Sequence, residues 1–145
     1  MVSLGVLTLV LTTLAFRTYQ LFDFRVFWEA GHRLLTGARL YPDEASLNAD
    51  TRDYYVYPPV VALIFAPLSM LPYGVAAVVY AIASVAAILA SLRLIGVTDW
   101  RCYAVLPLWM PVLQAVGLGT VGPFLALSLA LAWRFRDRRF AGGAA

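Results

Sequence analysis

Residues 23–59 read DFRVFWEAGHRLLTGARLYPDEASLNADTRDYYVYPP. This stretch holds six of the chain's eight acidic residues (Asp23, Glu29, Asp43, Glu44, Asp50, Asp53), the single histidine, His32, and four of the eleven arginines. Almost everything on either side is hydrocarbon. A soluble domain averages about 45–50% apolar and about 25% charged residues. This chain of 145 residues is 62% hydrophobic and 13% charged, with mean hydropathy +0.79. Such a composition belongs in a bilayer, and the polar stretch is where any chemistry is concentrated.

The same composition excludes several classes. All eleven basic residues are arginine. The net charge of +3 is spread along the chain rather than gathered into a stripe, so no nucleic-acid partner is expected. One cysteine, Cys102, rules out an intrachain disulfide and reads as a small hydrophobe near an interface. There is no P-loop, dinucleotide fingerprint, Ser-His-Asp order or metal-spaced His/Cys set. No metal site is expected, and His32 reads as a solvated residue.

Within the stretch, the spacing of Phe24, Phe27, Trp28, Gly31, Leu34 and Leu35 predicts an amphipathic helix over 24–37. Arg25, Glu29, His32 and Arg33 take its other face, with two charge pairs four residues apart. Asp23 is the expected N-cap, Phe22 the residue stapled to Phe27, and Gly37 the C′ residue. A helix this short and polar should lie in the membrane interface rather than span it. Residues 38–57 follow as a polar loop.

Outside the stretch the chain alternates apolar runs with breaks. Residues 1–16 read as a short first membrane helix. A secretory signal is the competing reading, but the basic n-region is missing. Residues 58–71, interrupted by Pro58, Pro59 and Pro67 and followed by Pro72, read as a juxtamembrane or re-entrant element. Residues 75–92 form a clear span carrying small residues four apart, Ala77/Ala81, Ala83/Ala87 and Ala87/Ser91. Spans over 102–118, interrupted by Pro107 and Pro111, and over 121–133 flank a GLGTVG turn at 117–122. Arg134, Arg136, Arg138 and Arg139 close the sequence. Positive charge is retained on the cytoplasmic side. The C-terminus is therefore expected in the cytoplasm, and loop 17–57 and the GLGTVG turn outside it. The expected fold is an all-α, multi-pass cell-membrane protein. It has about four transmembrane helices and one or two extracytoplasmic juxtamembrane helices between the first and second.

At DFRVFWEAGHRLLTGARLY (23–41), YVYPPVVALIFAPLSMLP (55–72) and PVLQAVGLGTVGPFLALSLALA (111–132), the chain resembles glycosyltransferase family 87. These are the polyprenol-phosphate-mannose-dependent mannosyltransferases of the C-type membrane superfamily. The pattern is an acidic residue opening an aromatic helix, a tyrosine exit, a YPP element, and a later Gly-Gln-x-Asn turn. Here that turn reads Gly119-Thr120-Val121-Gly122, so both amide side chains are absent. The resemblance implies hexosyl transfer, with mannose the expected sugar, from a polyprenyl-phosphate donor to an acceptor hydroxyl outside the cytoplasm. The acceptor would be a glycan or glycolipid, and the lipid-phosphate sugar a co-substrate rather than a cofactor. Asp23 matches the family's catalytic base. Arg25, Arg33, Arg52, Tyr57 and Thr120 are the expected substrate-binding residues.

The residues themselves leave alternatives open. Asp23 serves equally as an N-cap. The arginines serve as helix-face salt bridges or lipid headgroup contacts, and Tyr54, Tyr55 and Tyr57 as an interfacial belt. The chain is expected to be the N-terminal portion of such an enzyme or a shortened relative. The alternative is a small non-catalytic membrane protein that packs against other helices.

Overall fold

The computed structural model describes residues 21–41 and 55–141, with side chains as far as Arg136. The expected first span at 1–16, together with Arg52 and Tyr54, lies outside the described residues. Those described are all helical, with no strand among them. In order they form α1 (Phe22–Leu35), α2 (Pro59–Ser69), α3 (Tyr73–Leu94), α4 (Trp100–Val105), a 3-10 turn (Leu106–Leu108), α5 (Met110–Leu118) and α6 (Gly122–Ala141).

The two most extensive helix contacts are α1 on α2 and α3 on α6. The first is built on the apolar face read from the sequence: Phe24 is 0% exposed and Phe27 1% exposed. Burying an aromatic side chain of that size contributes roughly 1.5–3 kcal/mol. Gly31 lets the helices close up, because a Cβ there would collide with Ser69 Oγ and crowd the Ala66 nitrogen. Ser69 Oγ in turn donates to the Trp28 carbonyl at 2.8 Å, and Trp28 Nε1 donates to the Leu71 carbonyl at 3.2 Å. Leu34 and Leu35, expected on the same face, are 38% and 50% exposed, since α2 ends before reaching them.

At its C-terminus α1 ends as expected. Gly37 takes φ 70°. Ala38 N donates to the Arg33 carbonyl at 2.9 Å and Gly37 N to the Leu34 carbonyl at 3.4 Å, which is a Schellman motif. The N-terminus differs. Leu21, with φ 50° and ψ 45°, is the N-cap, and no side chain caps the helix. Asp23 falls instead in the first turn, and Phe22 is 40% exposed, so no staple to Phe27 forms. The reason is a tertiary bond: Leu21 N donates to the Gly117 carbonyl at 3.0 Å, turning the chain one residue before Phe22. With the entry of the chain set there, Asp23 lies inside the first turn and is not placed to cap it.

In α3 the small residues read from the sequence do face a neighbour. Ala77, Ala81, Ala87 and Ser91 are buried, as are Ala76 and Ser84, while Ala83 is only half-buried, and α6 packs along α3. The helix expected over 102–118, interrupted by Pro107 and Pro111, is two helices bent by 64°. Trp109 between them is extended (φ −86°, ψ 112°). Pro111 has no N–H for the Pro107 carbonyl, and its ring would clash with that carbonyl in a continuous helix. Placing Pro111 in the first turn of α5 removes both problems.

Among the described residues, α3 is long and apolar enough to cross a membrane, and the bent α4–α5 pair is so only if taken as one span. At 11 residues, α2 is about 16 Å long against a hydrocarbon core of about 30 Å. The 20 residues of α6 run on into Arg134 and Arg136, leaving a short apolar portion.

Candidate functional site

The first turn of α1 and the turn 119–121 are pressed together. Gly119 ends α5 in the left-handed conformation, φ 71°. A Cβ added to it would lie 2.6 Å from Phe24 Cβ and 3.2 Å from both Leu21 Cδ2 and the Phe24 nitrogen. Glycine is required here on both counts, backbone conformation and space. The next residue is held through its backbone. Thr120 N donates to the Ala115 carbonyl at 3.0 Å, and the Thr120 carbonyl accepts from the Tyr80 hydroxyl at 2.9 Å. The Thr120 hydroxyl is partly engaged too, accepting from Gly122 N at 3.4 Å.

Asp23 stands beside this junction, half-buried. It lies close enough to the Tyr80 phenol for their charges to interact. Partial burial pushes its carboxyl above the usual aspartate value, because removing water disfavours the charged form. That shift moves a carboxylate toward the range in which it works as a general base.

Below the junction is an aromatic core. Phe24 stacks on Tyr80 with ring centroids 4.5 Å apart, and Phe27 stacks on Phe65 at 4.8 Å. Tyr57 packs edge-on against Phe27 at 4.9 Å and keeps part of its ring exposed. Its carbonyl accepts from the Tyr41 hydroxyl at 2.7 Å. Tyr55 is buried, its hydroxyl donating to the Pro58 carbonyl at 2.8 Å and accepting from Ala62 N at 2.9 Å. It anchors the start of α2 rather than standing in an interfacial belt, and burial pushes its phenol up.

The arginines lie elsewhere on α1. Arg25 Nε is 3.1 Å from Glu29 Oε1, and Arg33 Nη2 is 3.9 Å from Glu29 Oε2. Arg33 is ten residues beyond Asp23, about 15 Å along a helix. The Tyr80 hydroxyl and Thr120 therefore meet beneath the turn of α1 that carries Asp23, while Arg25 and Arg33 form a separate charged strip and Tyr57 packs against Phe27. His32 stacks flat on Trp28 at 5.4 Å. No group of three or more His, Cys, Asp or Glu able to hold a metal occurs among the described residues.

Sequence reasoning missed Tyr80. Its signal was a lone phenol in the otherwise aliphatic and small-residue run 75–92, where an unpaired hydroxyl in hydrocarbon would be costly. A cleft of about 250 Å³ was missed as well. It lies between α3 and the bent pair, lined by Val85, Leu89, Leu106, Leu113 and Val116 among others. It is apolar, and Val116 places one end next to the 117–122 turn.

The family model for glycosyltransferase family 87 matches residues 55–145, more than half of the chain. The match begins at Tyr55, so α1 and Asp23 precede it. No curated protein and no solved structure matches the chain.

Proposed function

Because the chain belongs to glycosyltransferase family 87, we propose that it takes part in transfer of a hexose, mannose by resemblance, from a polyprenyl-phosphate donor to a glycan or glycolipid hydroxyl on the extracytoplasmic face. The observation that carries this reading is the first turn of α1, which holds the half-buried Asp23 and docks through Leu21 and Phe24 on Gly119. As base, Asp23 takes the proton of the acceptor hydroxyl while that oxygen bonds to the anomeric carbon. The bond from that carbon to the lipid phosphate breaks, and the phosphate leaves with the electron pair. By resemblance Arg25, Arg33 and Arg52 would meet the phosphate, although Arg25 and Arg33 pair with Glu29 in a strip apart from Asp23. Tyr57 and Thr120 are the remaining substrate-binding residues of this reading, Tyr57 through a ring face. The apolar cleft ending at Val116 suits the first isoprene units of the donor.

The reading includes a membrane arrangement that one of these contacts supports. The bond from Leu21 N to the Gly117 carbonyl brings the two residues to one level, and this reading takes both to lie on one side of the bilayer. The chain between them must then cross an even number of times. Two crossings, by α3 and the bent pair, satisfy this, with 58–71 not crossing. An odd count would follow if 58–71 crossed as well. Adding 1–16 and 121–133 gives four spans in all. The terminal arginines then fall in the cytoplasm, and Asp23 falls outside.

The test is Asp23→Asn in the full-length protein, assayed in membranes with polyprenyl-phosphate mannose. An amide cannot accept the proton, so transfer should fall roughly 10²–10⁴-fold at normal membrane abundance. A rate near wild type would overturn the assignment. A second reading, a non-catalytic helix-packing protein, draws on Thr120 and Gly122 standing where the family has Gln and Asn. It predicts no transfer by the wild-type chain under any donor.

A further inference from the structure

Tyr80 is the one tyrosine in the run 75–92, and only 4% of it is exposed. Its ring meets three other helices. It stacks on Phe24 of α1 at 4.5 Å and lies tilted against Phe65 of α2 at 5.7 Å and Phe124 of α6 at 5.4 Å. Its hydroxyl reaches past all three to the Thr120 carbonyl, 2.9 Å away. Two more contacts join α1 to the same turn: the bond from Leu21 N to the Gly117 carbonyl, and the close approach of Gly119 to Phe24. Neither of these two involves α3. The helices on either side of the turn pack on α3 as well, and the Tyr80 hydroxyl adds a direct hydrogen bond from α3 to the backbone of the turn itself.

We infer that Tyr80 is a positioning residue for Asp23, its stacked ring setting the height of the first turn of α1 and its hydroxyl setting the height of the 119–121 turn. The two segments that carry Asp23 and Thr120 are thereby referenced to one side chain. Tyr80 is buried beneath the junction and acts through Phe24 and the Thr120 carbonyl. Placing it here rests on the reading of Asp23 as the base. Catalytic geometry is sensitive at this scale, since a displacement of about 1 Å costs about 10²-fold in rate.

Tyr80→Phe removes the hydroxyl and keeps the ring that Phe24 stacks on. In the full-length protein, with polyprenyl-phosphate mannose as donor, kcat should fall about ten- to hundred-fold, with donor KM within about twofold of wild type. Membrane abundance should be unchanged. A kcat indistinguishable from wild type overturns the inference. So does a loss that tracks reduced abundance or a raised donor KM, because a purely structural residue would give that pattern. Asp23→Asn, measured alongside, separates the two ideas. Full transfer by Asp23→Asn removes the base and with it the role of Tyr80. Lost transfer by Asp23→Asn with an unchanged Tyr80→Phe overturns the positioning role alone.

Discussion

Gly119 and Phe24 are in contact so close that no side chain fits between them: a Cβ at position 119 would lie 2.6 Å from Phe24 Cβ. Residues almost a hundred positions apart thus share one junction, and the candidate base sits on its rim.

Gly119→Ala should therefore be more damaging than a left-handed glycine alone explains. Gly37 is the internal control, with φ 70° and nothing within 4 Å of an added Cβ. Gly37→Ala should cost about 1–2 kcal/mol, the backbone penalty alone. Gly119→Ala should cost a further ~1–3 kcal/mol for overpacking. Reversible unfolding in detergent compares the two, and equal losses would contradict the close approach.

Gly31 and Gly74 should respond in opposite directions to the same change. Both are helical, and alanine improves helix propensity by about 0.8–1 kcal/mol. At Gly74 an added Cβ meets nothing, whereas at Gly31 it meets Ser69 Oγ and the backbone of Phe65 and Ala66. Gly74→Ala should be neutral or stabilising, and Gly31→Ala destabilising by about 1–3 kcal/mol net. Adding Ser69→Ala to Gly31→Ala should recover only part of the loss, because the backbone contacts remain.

The Asp23 carboxyl makes stability depend on pH with a defined sign. Desolvation raises its folded-state value above the unfolded 3.8, so the folded protein holds this proton more tightly than the unfolded chain does. Its contribution is fully present below 3.8 and is lost as pH rises through the folded value. An acidic residue in a first helical turn normally gains from the helix dipole, and here desolvation outweighs that gain. Asp23→Asn should therefore be more stable than wild type at neutral pH, with the gap narrowing toward pH 3.8. Thermal unfolding of both proteins across that window measures it, and a variant less stable at neutral pH would refute the sign.

Sidedness can be read by labelling. On a Cys102→Ser background, single cysteines at Ser46, Thr98 and Arg138 are exposed to an impermeant thiol reagent in intact cells. Ser46→Cys should label, and Thr98→Cys and Arg138→Cys should not. Labelling at Arg138→Cys without Ser46→Cys would invert the proposed orientation.

Much of α1 was legible in the sequence. A 3.6-residue period puts Phe24, Phe27 and Gly31 on one face whatever that face meets, and Gly37 ends the helix because few other residues adopt its backbone angles. The span at α3 was legible for the same reason, since length and hydrocarbon content are properties of the chain alone. The prolines also announced a break near 107–111. Their bend of 64° was not readable, because it depends on what the two halves pack against.

The site stands the other way round. Composition singled out Asp23 as a polar group in an apolar chain, and its local sequence assigned it the N-cap. Contact with Gly117 moved the cap to Leu21 and left Asp23 inside the first turn of α1, half-buried. Arg25 and Arg33, neighbours of Asp23 in sequence, were drawn off by Glu29, whereas Tyr80 and Thr120 were drawn in. Periodicity and capping rules act over about four residues along one helix. A hydrogen bond from Leu21 to Gly117, or from Tyr80 to Thr120, depends on how separate helices pack, and no local pattern encodes that distance.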